Sequence, residues 1–213
     1  MDPKERYEKE RYDSKQHRLA TIIDAAERVF TKKGIEKTTM QDIASEANIG
    51  IATLFRYFAK KEKLVVAVAS KLLEPIYERF QAIAALPMNC LEKHEVLFDF
   101  FIEDHNNSSA KFMVDFESYA SHSAEPLEDI LQFNALNRSV SREYAKIVQQ
   151  GIADGSVRSD LPVRETLTTL VNTFGLFSKK LSSQKNILLL ESDLESDHQL
   201  AILKKVFIDY LKA

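Results

Sequence analysis

Apolar residues recur along this chain at intervals of three and four positions almost everywhere, a helical rather than a strand period. Ile22, Ala25, Ala26, Val29 and Phe30 form one such stripe, and the helix that carries it is expected to stop at Lys32-Lys33-Gly34. Two lysines there complement the negative end of the helix dipole, and the glycine supplies a left-handed cap. Upstream, Asp2, Pro3 and Glu5 suit a helix start, but Lys4 to His17 carries charge on every face and reads as a helical extension or a disordered arm. A new start follows at Thr39, with Asp42 three residues on in the manner of a capping box, giving a short helix over Met40 to Ala47 that Asn48 ends. A second short helix, about Ile51 to Phe58, places Leu54, Phe55 and Phe58 inward, and a third opens near Lys60-Lys61-Glu62.

Beyond Leu64 the periodic stretches lengthen. Helices are expected over 62–84, with a bend before Pro75, and over 91–106, 110–122, 126–154, 163–183 and 196–212. Connections are read at Asn106 to Ser109, Gly151 to Pro162 and Gln184 to Asp193. Five glycines and five prolines in 213 residues act only as punctuation between these segments. The fold class is therefore all-α. Its expected parts are a charged arm over 1–16, a three-helix head over 17–64 and a larger helical domain over 65–213.

Composition removes several functions. The longest apolar runs, such as Ile187 to Leu190, fall far short of the roughly 18 residues that a membrane span needs. The charged start lacks the apolar stretch of a secretory signal, so a bacterial-type cytoplasmic location is expected and no membrane partner. Cys90 is the single cysteine, which excludes an internal disulfide and a cysteine-based zinc site. His17, His94, His105, His122 and His198 include no i, i+4 pair of the metal-binding kind, and no phosphate-binding glycine loop occurs, so neither metal nor cofactor is expected. Gly151 and Gly155 match a small-residue membrane motif only formally, because Asp154 lies between them. The net charge of -3 hides an asymmetry: residues 1–64 hold 14 basic and 11 acidic side chains, residues 65–213 hold 15 and 21. Nucleic-acid contact is thereby expected in the first part alone.

The stretch Met40 to Ala59 carries the chemistry. Two short helices that cross steeply over a tight turn need apolar residues at fixed offsets, a small residue where they touch, and a permissive turn residue. Ile43, Ala47, Ile49 and Leu54 supply the first, Ala44 the second and Asn48 the third. The outward side of the second helix offers Gly50, Ile51, Ala52, Thr53, Arg56 and Tyr57, mostly small residues plus one arginine, which allow a helix to sit deep in a major groove. Thr39, Tyr57, Lys60, Lys61 and Lys63 surround it as donors to phosphate.

The run Thr38-Thr39-Met40-Gln41-Asp42-Ile43-Ala44, continued by Ala47 to Phe58 and Lys61-Glu62-Lys63-Leu64, resembles the N-terminal domain of the tetracycline-repressor (TetR) family. The resemblance is specific over about residues 17–70. It implies a helix-turn-helix head, in which Thr39 and Lys61 touch phosphate, Thr53 lies on the recognition helix and Tyr57 reaches the DNA backbone. It also implies a divergent helical domain that binds a small inducer and forms a homodimer. Three positions depart from the family pattern: Gly50 stands where Ser or Thr caps the recognition helix, Ala52 where Gly is usual, and Phe55 where Tyr is common.

In the larger domain, one stripe runs through Leu167, Leu170, Val171, Phe174, Phe177 and Leu181, and another through Leu200, Leu203, Phe207, Tyr210 and Leu211. By the family resemblance, Leu167, Leu170, Val171, Gly175, Leu200, Leu203, Phe207 and Tyr210 form a four-helix dimer interface. The aromatic residues Phe101, Phe112, Phe116, Tyr119, Phe133 and Phe174, with Glu117 and Asn137 on otherwise apolar faces, are candidates for an apolar effector site, the alternatives being plain core packing for the rings and internal hydrogen bonding for Glu117 and Asn137. The expected function is a ligand-released homodimeric repressor on a pseudo-palindromic double-stranded DNA operator, and no enzyme. The alternative is a helical-bundle enzyme or scaffold with a vestigial DNA-binding head.

Overall fold

The computed structural model describes residues 2–104, 108–184 and 196–213. Among them the chain forms nine α-helices and no strand: α1 Pro3–Lys33, α2 Met40–Glu46, α3 Ile51–Tyr57, α4 Lys61–Ala84, α5 Cys90–Asp104, α6 Ser108–Ser121, α7 Ile130–Asp154, α8 Val163–Gln184 and α9 Ser196–Leu211. Asn106, Asn107, His105 and the connection after Gln184 fall outside the described residues. The helices group into two compact units, Met1–Lys71 with Asp115–Phe133, and Leu72–Val114 with Asn134–Ala213.

In the first unit α1 takes in the whole charged segment. Asp2 caps it, Pro3 occupies its first turn, and Glu5 completes the capping box. At its other end Gly34 adopts a φ of 82°, in the left-handed region that an L side chain resists. Ile22, Ala25, Ala26, Val29 and Phe30 are buried on one face of α1, together with Ile35, Ile43, Ala44, Leu54, Phe58, Leu64, Val65 and Val68. Phe55, expected inward, is instead 47% exposed: on a helix of seven residues only Leu54 is buried, and the next residue points away from the same core.

One helix boundary departs from expectation by several residues. The helix expected from residue 126 begins at Ile130, because Asp129 takes a φ of 70° and Ile130 N–H turns back onto the carbonyl of Leu127 at 3.2 Å. As expected, α4 runs on through Pro75, which is exposed.

The second unit is built around aromatic rings. Phe174 of α8 stacks on Phe98 and Phe101 of α5 at centroid separations of 5.4 and 5.8 Å, and Phe207 of α9 closes the group at 5.9 Å from both Phe98 and Phe174. Lys204 of α9 binds Glu95 and Asp99 of α5. A buried polar chain joins α5 to α7. His94 Nδ1 lies 2.8 Å from the Cys90 carbonyl and Nε2 3.1 Å from the Tyr144 hydroxyl, so Nδ1–H donates to the carbonyl and Tyr144 O–H donates to Nε2. Burial lowers the His94 pKa to about 4 and raises that of the Cys90 thiol to about 11, so both are neutral at pH 7. Beside them Gly151 permits close approach: a methyl group there would lie 2.5 Å from Cys90 Cβ and 2.7 Å from Val157 Cγ2.

Candidate nucleic-acid interface

The helix-turn-helix assembles from local rules. Asp42 N–H donates to Thr39 Oγ1 at 3.1 Å, while the Thr39 N–H and hydroxyl both donate to Asp42 Oδ2, at 3.0 and 2.9 Å. Lys33, foremost, and the Thr39 donors hold the Asp42 carboxyl down to about pKa 2. The turn closes with Asn48 at φ 52° and with the Ile49 N–H on the Ala44 carbonyl at 3.0 Å, an arrangement that the small side chain of Ala44 permits. Gly50 caps α3 with backbone alone; no side chain serves the first N–H groups of that helix.

On α3, Ala52, Phe55 and Arg56 are exposed, and Ile51, Thr53 and Tyr57 are half-buried. The Arg56 guanidinium lies 5.7 Å from the centre of the Tyr57 ring. The exposed surface thus contains an aromatic residue, Phe55, that its hydrophobicity had assigned to the core.

The three lysines after α3 have different surroundings. Lys61 spends its three N–H donors on the carbonyls of Ile35, Glu36 and Thr38, at 3.0, 3.1 and 3.1 Å, and its ammonium lies 5.8 Å from the centre of the Tyr119 ring. Lys61 thereby ties down the backbone segment between α1 and α2. Lys63 pairs with Glu128 at 2.8 Å and with Asp129 at 3.3 Å, and Lys60 approaches Glu128 at 3.6 Å. The hydrogen bond from Glu128, then that from Asp129, raises the Lys63 pKa; Lys63 in turn lowers that of Glu128.

The candidate effector residues scatter. Phe101 and Phe174 belong to the stacked aromatic core, and Phe112 is buried. Phe116 meets Phe133 edge to face at 5.0 Å in the first unit, where Tyr119 also sits over Lys61. Glu117 and Asn137 are exposed, so the buried amide and carboxylate inferred from periodicity are not buried. An open cleft of about 500 Å³ in the second unit, bordered by Leu91, Glu92, Asp154, Ser156, Ile208 and Lys212, includes none of these candidates.

The interface stripes also divide. Leu167, Leu170, Leu200 and Phe207 are buried within the chain, because α8 and α9 pack their apolar faces on each other and α9 packs on α5. Gly175 and Leu203 are half-buried. The large exposed apolar residues of the two helices, among those described, are Val171, Leu176, Ile202, Val206 and Tyr210, three of which the expected set lacked. Ile202, Val206 and Tyr210 recur at four-residue spacing, a signal present in the sequence but masked by the stronger core stripe. Among the described residues no group of metal ligands occurs, and no helix is long and apolar enough to cross a membrane.

Residues 22–68 match the family described as bacterial regulatory proteins, tetR family. The repressor KstR2 of Mycolicibacterium smegmatis is 31% identical over 147 residues, covering 67% of this chain and 68% of that protein. The structure of the ketosteroid transcriptional regulator KstR2 of Mycobacterium tuberculosis superposes with a TM-score of 0.63 at 20% identity, over 92% of this chain and 95% of that one. FadR of Bacillus subtilis, solved with stearoyl-CoA, superposes with a TM-score of 0.68 at 16% identity, over 90% and 98%. The alternative of a helical-bundle enzyme or scaffold finds no support among these proteins.

Proposed function

Since the chain belongs to the tetracycline-repressor (TetR) family of DNA-binding transcriptional regulators, we propose that it acts as a homodimeric repressor that an apolar effector releases from its operator. One observation carries the DNA end of this reading: a helix-turn-helix whose second helix follows an exposed Gly50 and exposes Ala52, Phe55 and a single arginine, Arg56. Ile51, Ala52, Thr53 and Arg56 would read base edges, Gly50 would allow close approach, and Thr39, Tyr57, Lys60 and Lys63 would hold phosphate. Lys61 acts here through the backbone it fixes rather than by touching DNA.

The dimer is supported by the exposed apolar residues Val171, Leu176, Ile202, Val206 and Tyr210 around Gly175, on α8 and α9. A twofold axis through that face would present two heads to the half-sites of a pseudo-palindrome. The repressor role accords with that of KstR2, and an apolar effector with the ketosteroid and the stearoyl-CoA associated with the KstR2 and FadR structures. The aromatic interior around Phe101, Phe112 and Phe174 is the proposed site, with an effector entering by parting rings that stack on one another. Release then requires that effector and DNA favour different conformations.

Selection of binding sites from a random duplex pool tests the reading. A two-fold symmetric consensus is expected, together with a dimeric mass in solution. Failure to enrich any sequence, or a monomer at the concentrations where DNA is bound, would refute it.

A further inference from the structure

The N-terminal half of α1 has a structured charge pattern that its overall balance conceals. At 3.6 residues per turn, Lys4, Arg11, Lys15 and Arg18 fall within about 60° of arc, flanked by Tyr7 and Ser14. Glu5, Glu10 and Asp13 lie well outside this sector, Glu8 borders its edge, and Arg6, on another side, is paired with Glu10. Every described side chain up to Arg18 is exposed, and the four sector cations make no ion pair among the described residues.

The sector continues the packed face of the head. From Arg11 the steps to Lys15, Arg18, Ile22, Ala25 and Val29 are all of three or four residues, so one stripe passes from basic to buried along a single helix. The end is right as well as the face. Asp42, early in α2, pairs with Lys33, and Glu46, at its end, pairs with Arg28 at 2.7 Å, so α2 runs back toward the N-terminal end of α1. The turn and the recognition helix α3 follow from there, on the side from which the basic extension leaves.

We propose that this stripe, Lys4, Tyr7, Arg11, Ser14, Lys15 and Arg18, is a second DNA-binding surface that lies along the phosphate backbone beyond the recognition helix. All six side chains are donors to phosphate. The segment from Lys4 to Arg18 spans about 21 Å of helix, enough to follow several successive phosphates. Because it touches no base edge, it adds affinity without sequence preference, and it is uniformly weakened by salt.

The test uses the full-length chain and a mixed-sequence DNA duplex, with fluorescence anisotropy over a series of salt concentrations. The variant Lys4→Gln, Arg11→Gln, Lys15→Gln, Arg18→Gln should lose affinity at low salt. Its log K against log[salt] slope should be shallower by about 0.9 for each side chain that had neutralised a phosphate. The control Arg6→Gln, Lys9→Gln, on the other faces of the same helix, should retain the wild-type slope. Circular dichroism of each variant confirms that the helix is kept. Equal slopes for wild type and the fourfold variant, or an equal loss in the control, would overturn the proposal. Binding by the wild-type protein itself reports on the DNA-binding reading, so the two failures are separable.

Discussion

Lys63 Nζ lies 2.8 Å from Glu128 Oε1, so a lysine suited to hold phosphate is already held by a carboxylate of the same compact unit. DNA that engages Lys63 must displace Glu128 and Asp129, and part of the binding energy is spent on that exchange. Glu128→Gln with Asp129→Asn should therefore raise DNA affinity roughly three- to ten-fold, the scale expected of the three ion pairs lost. The gain should fade at high salt. Asparagine tolerates the φ of 70° at position 129, so the loop is preserved. Anisotropy titrations at two ionic strengths check this; a loss of affinity would show that the pairs support the binding conformation instead.

Lys61→Ala removes the three hydrogen bonds to Ile35, Glu36 and Thr38. The expected cost is about 1–3 kcal/mol of stability in the head, from carbonyls left without their cation. DNA binding should weaken in step with the melting temperature while the salt slope stays near that of wild type. A slope shallower by about 0.9, with melting unchanged, would make Lys61 a phosphate contact after all.

Arg56 is the one long hydrogen-bonding side chain exposed on α3. Its replacement by Ala should relax preference at one base pair per half-site, by about 1–3 kcal/mol, if it grips a guanine edge with two hydrogen bonds. Affinities measured for a panel of operator variants decide the matter; a uniform loss over the panel would assign Arg56 to the backbone.

Gly50 caps α3 at a φ of −67°, and a side chain placed there meets nothing within 4 Å. Gly50→Ser should fit without strain and provide a hydroxyl for the N–H groups that now lack a cap. The stability gain should be a few tenths of a kcal/mol, up to about 1 if the lost flexibility of the unfolded chain contributes. Thermal melts would read it, and an unchanged or lowered melting temperature would mean that the hydroxyl does not cap.

His94 gives a pH signature. Its folded pKa, about 4, is below the ordinary 6.5, so between these values the unfolded chain takes up a proton that the folded chain refuses. Stability should be full above pH 6.5, decline as pH falls toward 4, and lose no more from this group below that. The full effect approaches about 3 kcal/mol. His94→Gln should flatten this part of the pH dependence of melting; parallel curves for the two proteins would refute the assignment.

What was legible in the sequence was what neighbours along the chain decide. The Thr39–Asp42 cap, the Asn48 turn and the small Ala44 are set within a few residues of each other, and each has the expected geometry. Periodicity identified faces but not what covers them. Asn137 does share a face with Val140 and Tyr144, yet it is exposed, because burial needs a neighbour opposite and the spacing of one helix says nothing about its neighbour. The same gap assigned Leu170 and Phe207 to an interface when they fill the chain's own core. Lys61 shows the converse: its motif position was recognised, but only the three-dimensional placement of Ile35, Glu36 and Thr38 shows what its charge serves.

The contact of Gly151 with Cys90 and Val157 also limits how this protein can evolve. No side chain can be added at position 151 while the other two keep their present bulk, since even a methyl group would overlap both. A substitution there requires that Cys90 and Val157 shift or become smaller, so changes at 90 and 157 should precede any change at 151. The three positions form one inherited unit, and a library that varies each alone should recover glycine at 151 almost without exception, whereas one that varies all three together should recover new combinations.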